Sequence, residues 1–535
     1  MDGAPEHEYL TRVFEGSSVI KHLFICLLVG LAARLDAQEL DLIVRGGSVI
    51  DGSGSPAVRA DIGILGDRIV FVGASGGRTA KRTIDATGLV VTPGFIDPHT
   101  HTADDLSDPK KSRNDAYLMQ GVTTVATGND GSSPLNIGAT LAQWNKQGIG
   151  TNAVLFIGQG TVRREAMGMS DAKPTPEQME RMKALVARAM QEGAVGLSTG
   201  LYYTPGSYST TEEVIELAKV AAQHHGIYDT HMRDESSYNI GLLGAVRETI
   251  RIGREAHLPV MISHIKALGA DVWGQSKDVI ALIDEARKAG VDVTASQYPY
   301  TASGTSVASA LVPPWAMANG ALQKNLTDET VRPRLVKEMT ENLKRRGGAD
   351  SLLMTQANDT SLVGKTLAQI ATERKETPVD AAIEIVRAGD SNVASFNMKE
   401  SDIATFMREP WVMTCSDGSD GHPRKYGTFP RKIRKYVYED QVISQEFAVR
   451  SSTSLPAQTL GLKDRGLLKA GYFADVLVFD PKTYNERATY LQPEVLATGV
   501  RYLTVNGRMA IDDGKLTKAL YGRALAHDGR ALAHE

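Results

Sequence analysis

The stretch PGFIDPHTHTADD, residues 93–105, decides which fold this chain is expected to have. A short apolar run ends in His99-Thr100-His101, and side chains two positions apart on an extended chain point to the same face. Two neighbouring imidazoles make up half of a typical catalytic metal site, which takes three protein ligands and leaves one position open. The pattern therefore predicts a strand that ends in a pair of metal ligands. Two surface histidines in a loop are the alternative.

Further metal-capable side chains follow strand-like runs elsewhere in the chain. His231 stands in GIYDTHMRDE, His264 in LPVMISHIK, and Asp417 in WVMTCSDGSDG. The active site of a (β/α)8 barrel collects its residues from the carboxyl ends of several strands. We therefore predict an α/β protein built on a TIM-like (β/α)8 barrel.

The order of patterns along the chain predicts how the barrel is framed. The middle of the chain alternates strand-like runs with helical patterns, as βαβ units do, whereas both ends consist of short β-rich runs. Near the C-terminus, Asn506-Gly507 is a strong signal for a type I′ hairpin turn. We predict a small discontinuous β-sandwich from residues 38–92 and 462–535, a hydrolase barrel from 93–461, and an insertion above the barrel at about 305–400.

Composition limits the class of partner. The chain has 535 residues, of which 42% are apolar and 23% charged, as is usual for a globular enzyme. Its net charge of −4 offers no basic surface for nucleic acid, so we expect a small-molecule substrate and no nucleic-acid partner. The oligomeric state stays open. Cys415 beside Asp417 is predicted to be a small buried apolar residue and not a nucleophile.

The N-terminal residues 1–37 are predicted to be a leader with a signal peptide. Lys21-His22 precede the apolar run LFICLLVGLAA, which is too short to span a bilayer and has the shape of a signal-peptide core. Cleavage near Ala37 would give a periplasmic or secreted enzyme with no stable membrane span, and a retained leader a cytoplasmic one. A buried helix or an amphipathic anchor is the alternative.

Eight ordered motifs carry a resemblance to a known family. They are HTH, GVTTVATGNDG, GLSTGLYYTPGSYS, THMRDE, SHIK, YPYTAS, SDGS and HPRKYGTFPR. From roughly residue 40 to the C-terminus, the chain resembles the N-acyl-D-amino-acid deacylase (D-aminoacylase) family of the metal-dependent amidohydrolase superfamily. The resemblance implies a barrel with a two-part β-sandwich and one or two divalent metal ions, typically Zn²⁺. It also implies hydrolysis of N-acyl-D-amino acids to a carboxylate and a free D-amino acid.

The resemblance also implies a set of metal ligands. His99 and His101 would hold one metal ion, and His231 and His264 would hold the other together with a bridging residue. The family has a cysteine at the bridging position, in a motif written GNCG, whereas this chain has Asp130. A carboxylate prefers harder ions than a thiolate does. Asp130 either bridges two cations through its two oxygens or only caps the following helix.

The resemblance also implies which side chains act on the substrate. Asp417 is suited to take a proton from water and pass it to the leaving amine, although a turn residue is the alternative. Lys266 in SHIK resembles a clamp for the substrate's α-carboxylate, with Tyr298 and Tyr203 as phenolic donors, or as ordinary packing residues. Arg424 is a further cation for acidic substrates, or a structural arginine in a salt bridge.

Two other functions are compatible with this sequence. A metallohydrolase with Asp130 and an insertion at about 305–400 could cleave a cyclic amide or a dipeptide. A barrel without metal could serve as a scaffold, but metal-capable side chains at every ligand position argue against it.

Overall fold

The structure is a computed structural model that describes residues 39–518 and 520–527. The leader with its predicted export signal lies outside the described residues. The strands are β1 (Leu40–Val49), β2 (Val58–Leu65), β3 (Arg68–Gly73), β4 (Ala80–Asp85), β5 (Val90–Pro93), β6 (Phe95–Asp97), β7 (Val122–Thr127), β8 (Asn152–Leu155), β9 (Ile157–Gly158), β10 (Gly196–Gly200), β11 (Ile227–His231), β12 (Val260–Ile262), β13 (Val293–Gln297), β14 (Ala302–Ser306), β15 (Leu352–Ala357), β16 (Ser391–Phe396), β17 (Val412–Thr414), β18 (Val476–Phe479), β19 (Val500–Val505), β20 (Arg508–Asp512) and β21 (Lys515–Leu516).

Helices alternate with these strands through most of the chain. The α-helices are α1 (Ala103–Ser107), α2 (Asp115–Leu118), α3 (Ile137–Gln147), α4 (Gln159–Met167), α5 (Pro176–Gln191), α6 (Thr211–Gln223), α7 (Gly241–Ala256), α8 (Ser276–Lys288), α9 (Val307–Leu311), α10 (Pro314–Met317), α11 (Leu322–Asn325), α12 (Arg332–Arg345), α13 (Leu367–Arg374), α14 (Pro378–Arg387), α15 (Glu400–Met407), α16 (Arg424–Arg431), α17 (Gln445–Ser452) and α18 (Ser454–Thr459). A π-helix follows α16 (Lys432–Glu439), and the 3₁₀ turns are Gly206–Tyr208, Ala270–Val272, Ala318–Gly320, Ala349–Ser351 and Thr360–Leu362.

The middle of the chain forms two parallel sheets that are joined through two consecutive strands. The first sheet has the order β6-β7-β8 and the second the order β9-β10-β11-β12-β13-β17. Strands β8 and β9 are separated only by Phe156, so the chain passes directly from one sheet to the other. At the two outer ends of this series, a parallel bridge joins Thr100 after β6 to Gly418 after β17.

Burial on both faces explains the near-continuous apolar runs of these strands. Alternate residues on one strand belong to two different clusters, as Phe95 and Ile96 do on β6 and Ile262 and Met261 on β12. One cluster contains the apolar faces of the surrounding helices, among them Trp144 of α3. Parallel strands covered on both sides read as continuous hydrophobic runs, which is the pattern seen in this sequence.

The helices begin and end where the sequence places capping residues. Thr175 accepts a hydrogen bond from the backbone of Gln178 at the start of α5, and the Gln178 side chain returns to Thr175. Pro176 occupies the first turn, where its missing N–H costs nothing. Thr210 caps α6 in a similar way, because its side chain accepts a hydrogen bond from the backbone of Glu213.

Strands from both ends of the chain share one sheet. Its order is β21-β20-β19-β18-β5-β1-β2-β3, with β4 paired to β1. The pairing of β5 with β18 joins the N-terminal and C-terminal parts, and the hairpin turn at Asn506-Gly507 is confirmed between β19 and β20. The segment around Arg523–Leu525 leaves this sheet and hydrogen-bonds to Ala153 on β8 instead. Residues Arg523–Leu525 therefore pair with the central sheets and not with the terminal sheet.

The region that breaks the strand–helix rhythm has a sheet and a core of its own. Strands β14, β16 and β15 form an antiparallel sheet, and its first strand begins at Ala302. The apolar cluster packed on this sheet runs from Val307 to Val393 and shares no member with the other clusters. We call residues 302–396 the insertion.

Two further observations complete the fold. Within the described residues, none of the helices combines the length and the apolar character needed to cross a lipid bilayer. Cys415 is fully buried, and burial raises the pKa of its thiol well above the usual value. A thiol kept protonated in this way is a poor nucleophile.

Candidate metal centre

Four imidazoles surround the carboxylate of Asp130. The Oδ1 atom lies 3.5 Å from His99 Nε2 and 3.4 Å from His264 Nε2. The Oδ2 atom lies 3.5 Å from His101 Nε2 and 3.7 Å from His231 Nδ1. The five side chains that the sequence proposed as ligands therefore meet at one point, although they come from four separate stretches of the chain.

A second carboxylate, that of Asp417, stands beside this group. Its Oδ1 atom lies 3.0 Å from His101 Nε2 and 3.5 Å from His99 Nε2. Its Oδ2 atom lies 2.7 Å from Nη1 of Arg424. Asp417 thus faces the histidines with one oxygen and a buried guanidinium with the other. Arg424 forms the salt bridge that the sequence analysis gave as the alternative to substrate binding.

Each of these residues follows a strand of the central sheets. His99 and His101 follow β6, Asp130 follows β7, and His264 and Asp417 follow β12 and β17, while His231 is the last residue of β11. The carboxylate of Asp97 accepts backbone hydrogen bonds from Ser416 at 3.0 Å and from His99 at 3.2 Å. This contact ties the ends of β6 and β17 together and sets His99 beside Asp417.

Three of the six residues have left-handed backbone angles, which non-glycine residues rarely adopt. The φ angles are 55° for Asp130, 34° for His264 and 47° for Asp417. Such strain costs on the order of 1–3 kcal/mol per residue and is concentrated at functional sites. Gly200 permits the conformation of Asp130, because a Cβ at Gly200 would lie 2.2 Å from the Asp130 carbonyl oxygen.

The donor set fits a divalent metal ion. His99 Nε2 and Asp130 Oδ1 are buried and have no hydrogen-bond partner among the described residues. Side-chain donor atoms of His99, His101, Asp130 and Asp417 lie within 4.8 Å of one another, and so do those of Asp130, His231 and His264. Two overlapping ligand groups that share one carboxylate match the arrangement implied by the resemblance. Imidazole and carboxylate ligands suit zinc and related metals.

Charge keeps the two acids that face the histidines, Asp130 and Asp417, ionised. Burial alone would raise the pKa of the Asp130 carboxyl, but the imidazoles of His99 and His264 hold it well below its usual value. Burial acts in the same direction on Asp417, and the Arg424 guanidinium holds that pKa well below its usual value. Burial also lowers the pKa of His231, which favours the neutral imidazole that binds metals.

A chain of hydrogen bonds orients His99 from behind. Its Nδ1 atom is 2.8 Å from the hydroxyl of Ser263, and that hydroxyl donates to Asp229. The other oxygen of Asp229 accepts a hydrogen bond from Asn129 at 2.9 Å. A hydrogen bond to the far ring nitrogen fixes the tautomer and orientation of a metal-binding histidine.

Lys266 has a partner that the sequence interpretation did not include. Its Nζ atom lies 2.6 Å from Glu235 Oε1 and 2.6 Å from His264 Nδ1. Glu235 also approaches the two imidazoles, at 3.1 Å from His264 Nδ1 and 3.7 Å from His231 Nε2. Lys266 therefore lies at the site, but its charge is neutralised by Glu235. Its role as a clamp for the substrate's α-carboxylate stays a prediction.

The cluster opens into a cavity of about 440 Å³. Tyr203, Tyr298 and Arg424, the remaining substrate residues named from the sequence, all line it. The Tyr298 side chain is only 2% exposed, and its hydroxyl has no hydrogen-bond partner among the described residues. An unpartnered phenol beside the cluster is available to a substrate, and it argues against ordinary packing for Tyr298.

Sequence reasoning missed two buried charged residues that line this cavity. Glu235 stands four positions after His231 in THMRDE, so its carboxylate could have been suspected from that motif. Arg346 carried no such signal, because it lies in a basic run at the end of α12 in the insertion. Only the packing of the insertion against the central sheets brings Arg346 to the cavity.

The fold and this site define a metal-binding α/β hydrolase, and comparison with known proteins identifies the family. A model described as the amidohydrolase family matches residues 82–511. The chain therefore belongs to the amidohydrolase family.

Relatives of known activity are similar over most of the chain. The D-aminoacylase of Alcaligenes xylosoxydans xylosoxydans is 35% identical over 521 residues, covering 92% of this chain and 99% of that protein. A D-aminoacylase structure described for its binuclear metal center matches 91% of this chain and 99% of its own, with a TM-score of 0.79 and 34% identity. An N-acyl-D-glutamate deacylase from Bordetella bronchiseptica, complexed with zinc and a phosphonate inhibitor, has a TM-score of 0.78 and 31% identity, covering 90% of this chain and 100% of its own.

Proposed function

We propose that this protein is a metal-dependent hydrolase that cleaves the amide bond of N-acyl-D-amino acids, giving a carboxylate and a free D-amino acid. The observation that supports this proposal most directly is the position of Asp417. It lies 3.0 Å from His101 and 2.7 Å from Arg424, at the edge of the histidine cluster and inside the cavity. The activities of the relatives, D-aminoacylase and N-acyl-D-glutamate deacylase, support this choice of substrate.

The bound ion or ions are proposed to be Zn²⁺, one or two per chain. His99, His101 and Asp130 would hold one ion, and His231, His264 and Asp130 the other. A bound divalent ion lowers the pKa of water toward neutrality and polarises the amide carbonyl. Glu235, paired with Lys266, orients the rings of His231 and His264 from the side away from Asp130.

The proton is carried by Asp417. Its ionised carboxylate can accept the proton of the attacking water and return it to the nitrogen of the leaving amine, since an amine leaves only when protonated. The Arg424 guanidinium keeps Asp417 ionised and positions its second oxygen. The α-carboxylate is proposed to bind to Lys266, the buried hydroxyl of Tyr298 and the guanidinium of Arg424, since the two cations lie 5.7 Å and 4.7 Å from the ring centre of Tyr298.

The architecture follows from the same interpretation. The two parallel sheets are proposed to form one (β/α)8 barrel, with its carboxyl face at the histidine cluster. The bridge between Thr100 and Gly418 supports closure, because it links the first strand of the series to the last. The sheet that joins both termini is proposed to be the β-sandwich of the fold.

An enantiomer panel tests the function directly. The protein, purified with zinc, is assayed on matched pairs of N-acetyl-D- and N-acetyl-L-amino acids, and its metal content is measured in parallel. Turnover of D-isomers alone is expected. Absence of turnover for every D-isomer in a zinc-loaded preparation would reject the proposal.

Export of the mature enzyme is a separate proposal, supported by the basic residues and apolar run before Ala37. Fractionation of cells that express the full sequence, followed by N-terminal sequencing of the enzyme, tests it. A full-length chain in the cytoplasm would contradict export.

A further inference from the structure

One buried cation at the cavity lacks a counter-charge. The described residues contain four buried arginines, Arg163, Arg346, Arg424 and Arg465. Arg163 pairs with Glu213, Arg424 with Asp417 and Arg465 with Asp475. Arg346 is only 3% exposed. Among the described residues, no carboxylate oxygen lies within 4.0 Å of its guanidinium.

The contacts of Arg346 are all with neutral groups. Its Nη2 atom donates to the Tyr202 hydroxyl at 3.1 Å, and Nη1 lies 3.5 Å from the Ser303 hydroxyl. The guanidinium also lies 5.7 Å from the ring centre of Tyr238. Its Nε atom has no partner within the part of the chain that the structure describes. Some N–H donors of the Arg346 guanidinium, among them Nε, therefore have no hydrogen-bond partner among the described residues.

Arg346 faces the same cavity as the metal cluster. The cavity is lined by Arg346 together with His231, Asp417 and Arg424. Tyr202 connects the two regions, since its hydroxyl accepts from Arg346 and its ring centre lies 5.7 Å from that of His231. A group bound at Arg346 would thus be separated from the metal ligands by about the width of one aromatic ring.

The energetics require an anion. Arginine cannot lose its proton to escape burial, and an unpaired buried charge costs several kcal/mol. The other cations that line the interior of the cavity are already paired, Lys266 with Glu235 and Arg424 with Asp417. Arginine binds carboxylates in a bidentate fashion, which would use the free donors of Arg346.

We propose that Arg346 binds a second carboxylate of the substrate, so that the preferred substrates are N-acyl-D-amino acids with a negative charge besides the α-carboxylate. This inference rests on the proposed function and specifies its substrate class. The second carboxylate belongs either to an acidic D-side chain or to a dicarboxylic acyl group. Both sources offer the same chemistry to the guanidinium.

Matched substrate pairs distinguish the sources. N-acetyl-D-glutamate is compared with N-acetyl-D-glutamine, and N-succinyl-D-leucine with N-succinamoyl-D-leucine, so that each pair differs only in charge. For at least one pair, the wild type is expected to have about 100-fold higher kcat/KM on the charged member. Arg346→Met is expected to abolish this ratio by lowering kcat/KM for the charged member, with the neutral member changed by less than about threefold. Arg346→Lys should restore part of the ratio, because it keeps the charge.

Arg345→Met is the control variant. Arg345 is adjacent in the chain and also lies near the Tyr238 ring, at 5.6 Å, but it bonds to Asn342 and does not line the cavity. It should keep the wild-type ratio, and every variant should keep the wild-type metal content. No charge preference in the wild type, or an equal loss on both members of a pair in Arg346→Met, would overturn the proposal and leave Arg346 a structural residue.

Calorimetry separates this proposal from the proposed function. If no N-acyl-D-amino acid is hydrolysed, the proposed function fails, and the same compounds become stable ligands for titration of the zinc-loaded protein. Tighter binding of a charged member than of its neutral partner, lost in Arg346→Met, would still support the anion site. Equal binding within each pair would refute it.

Discussion

The residue that distinguishes this metal centre is Asp130, because both of its oxygens face imidazoles and the family motif has cysteine there. A carboxylate binds zinc less tightly than a thiolate but accepts harder ions. We therefore expect Asp130→Ala to lose at least half of the bound metal. Asp130→Cys should keep zinc and bind manganese more weakly than the wild type. Metal analysis after dialysis against each ion measures both effects.

Asp104→Ala is the control for the Asp130 variants, since Asp104 is exposed on α1. Full metal content in Asp130→Ala would show that Asp130 only caps the backbone and that the histidines suffice.

Asp417 permits a second test on a single residue. A general acid–base group contributes on the order of 10²- to 10⁴-fold to the rate. Asp417→Asn keeps the shape of the side chain but cannot accept the proton, so kcat should fall by that factor while the metal content stays unchanged. Asp420→Asn, which alters a cavity acid paired with Lys425, should keep kcat within about threefold. A kcat for Asp417→Asn within tenfold of the wild type would exclude the proposed role.

A site residue could be predicted from the sequence when it directly follows a recognisable strand pattern. His99, His101, His231, His264 and Asp417 each follow a readable strand, and the alignment of parallel strand ends brings them together. The Glu235–Lys266 pair and the Arg346 guanidinium depend on how loops and the insertion pack. No periodicity records such packing, so the charge balance of the cavity could not be predicted.

At the level of secondary structure, the π-helix Lys432–Glu439 buries an amine without a counter-charge. Lys432 donates to Thr414 at 2.7 Å and to Ser451 at 3.0 Å, and burial lowers its pKa from 10.5 to about 7. Both hydroxyls have other partners, Ser452 for Thr414 and the Ala448 carbonyl for Ser451. Lys432→Met therefore leaves no polar group unsatisfied. We expect it to raise the melting temperature at pH 6.

The stability difference between Lys432→Met and the wild type is expected to depend on pH. From about pH 7 to the ordinary value of 10.5, the unfolded chain binds a proton at Lys432 that the native protein does not bind. The contribution of Lys432 to stability therefore rises with pH across this window. The advantage of Lys432→Met should shrink from pH 6 to pH 9.5, as thermal melts of both proteins would measure. An equal difference at both pH values would show that Lys432 does not titrate in the window.

Elements were predicted best where a strong turn signal separates two strand patterns, as at the Asn506-Gly507 hairpin. The pairing of Arg523–Leu525 with β8 was not predicted. It depends on backbone groups of Ala153, on the edge strand β8, that pair with a segment far away in the sequence, and nothing near Arg523 in the sequence indicates this.

The whole molecule is organised so that the insertion is structurally separable. The apolar cluster of the insertion lies entirely between Val307 and Val393, and Ser306 is paired with Asn392 across β14 and β16. An Asn-Gly turn placed between these two paired residues would close a hairpin, because that dipeptide forms type I′ turns. Replacing residues 307–391 in this way removes the insertion core together with Arg346, so few apolar groups lose their cover.

The shortened protein tests which functions belong to the central sheets and which to the insertion. Its zinc content should equal that of the full chain, because the ligands and Asp417 lie outside residues 307–391. Its preference for doubly charged substrates should vanish, and KM should rise by about tenfold or more, since the wall of the cavity is lost. Measurement of zinc together with kinetics on the charged and neutral pairs decides the matter. A shortened protein that lost its zinc while remaining folded would show that the insertion holds the metal site together, which would contradict a separable insertion.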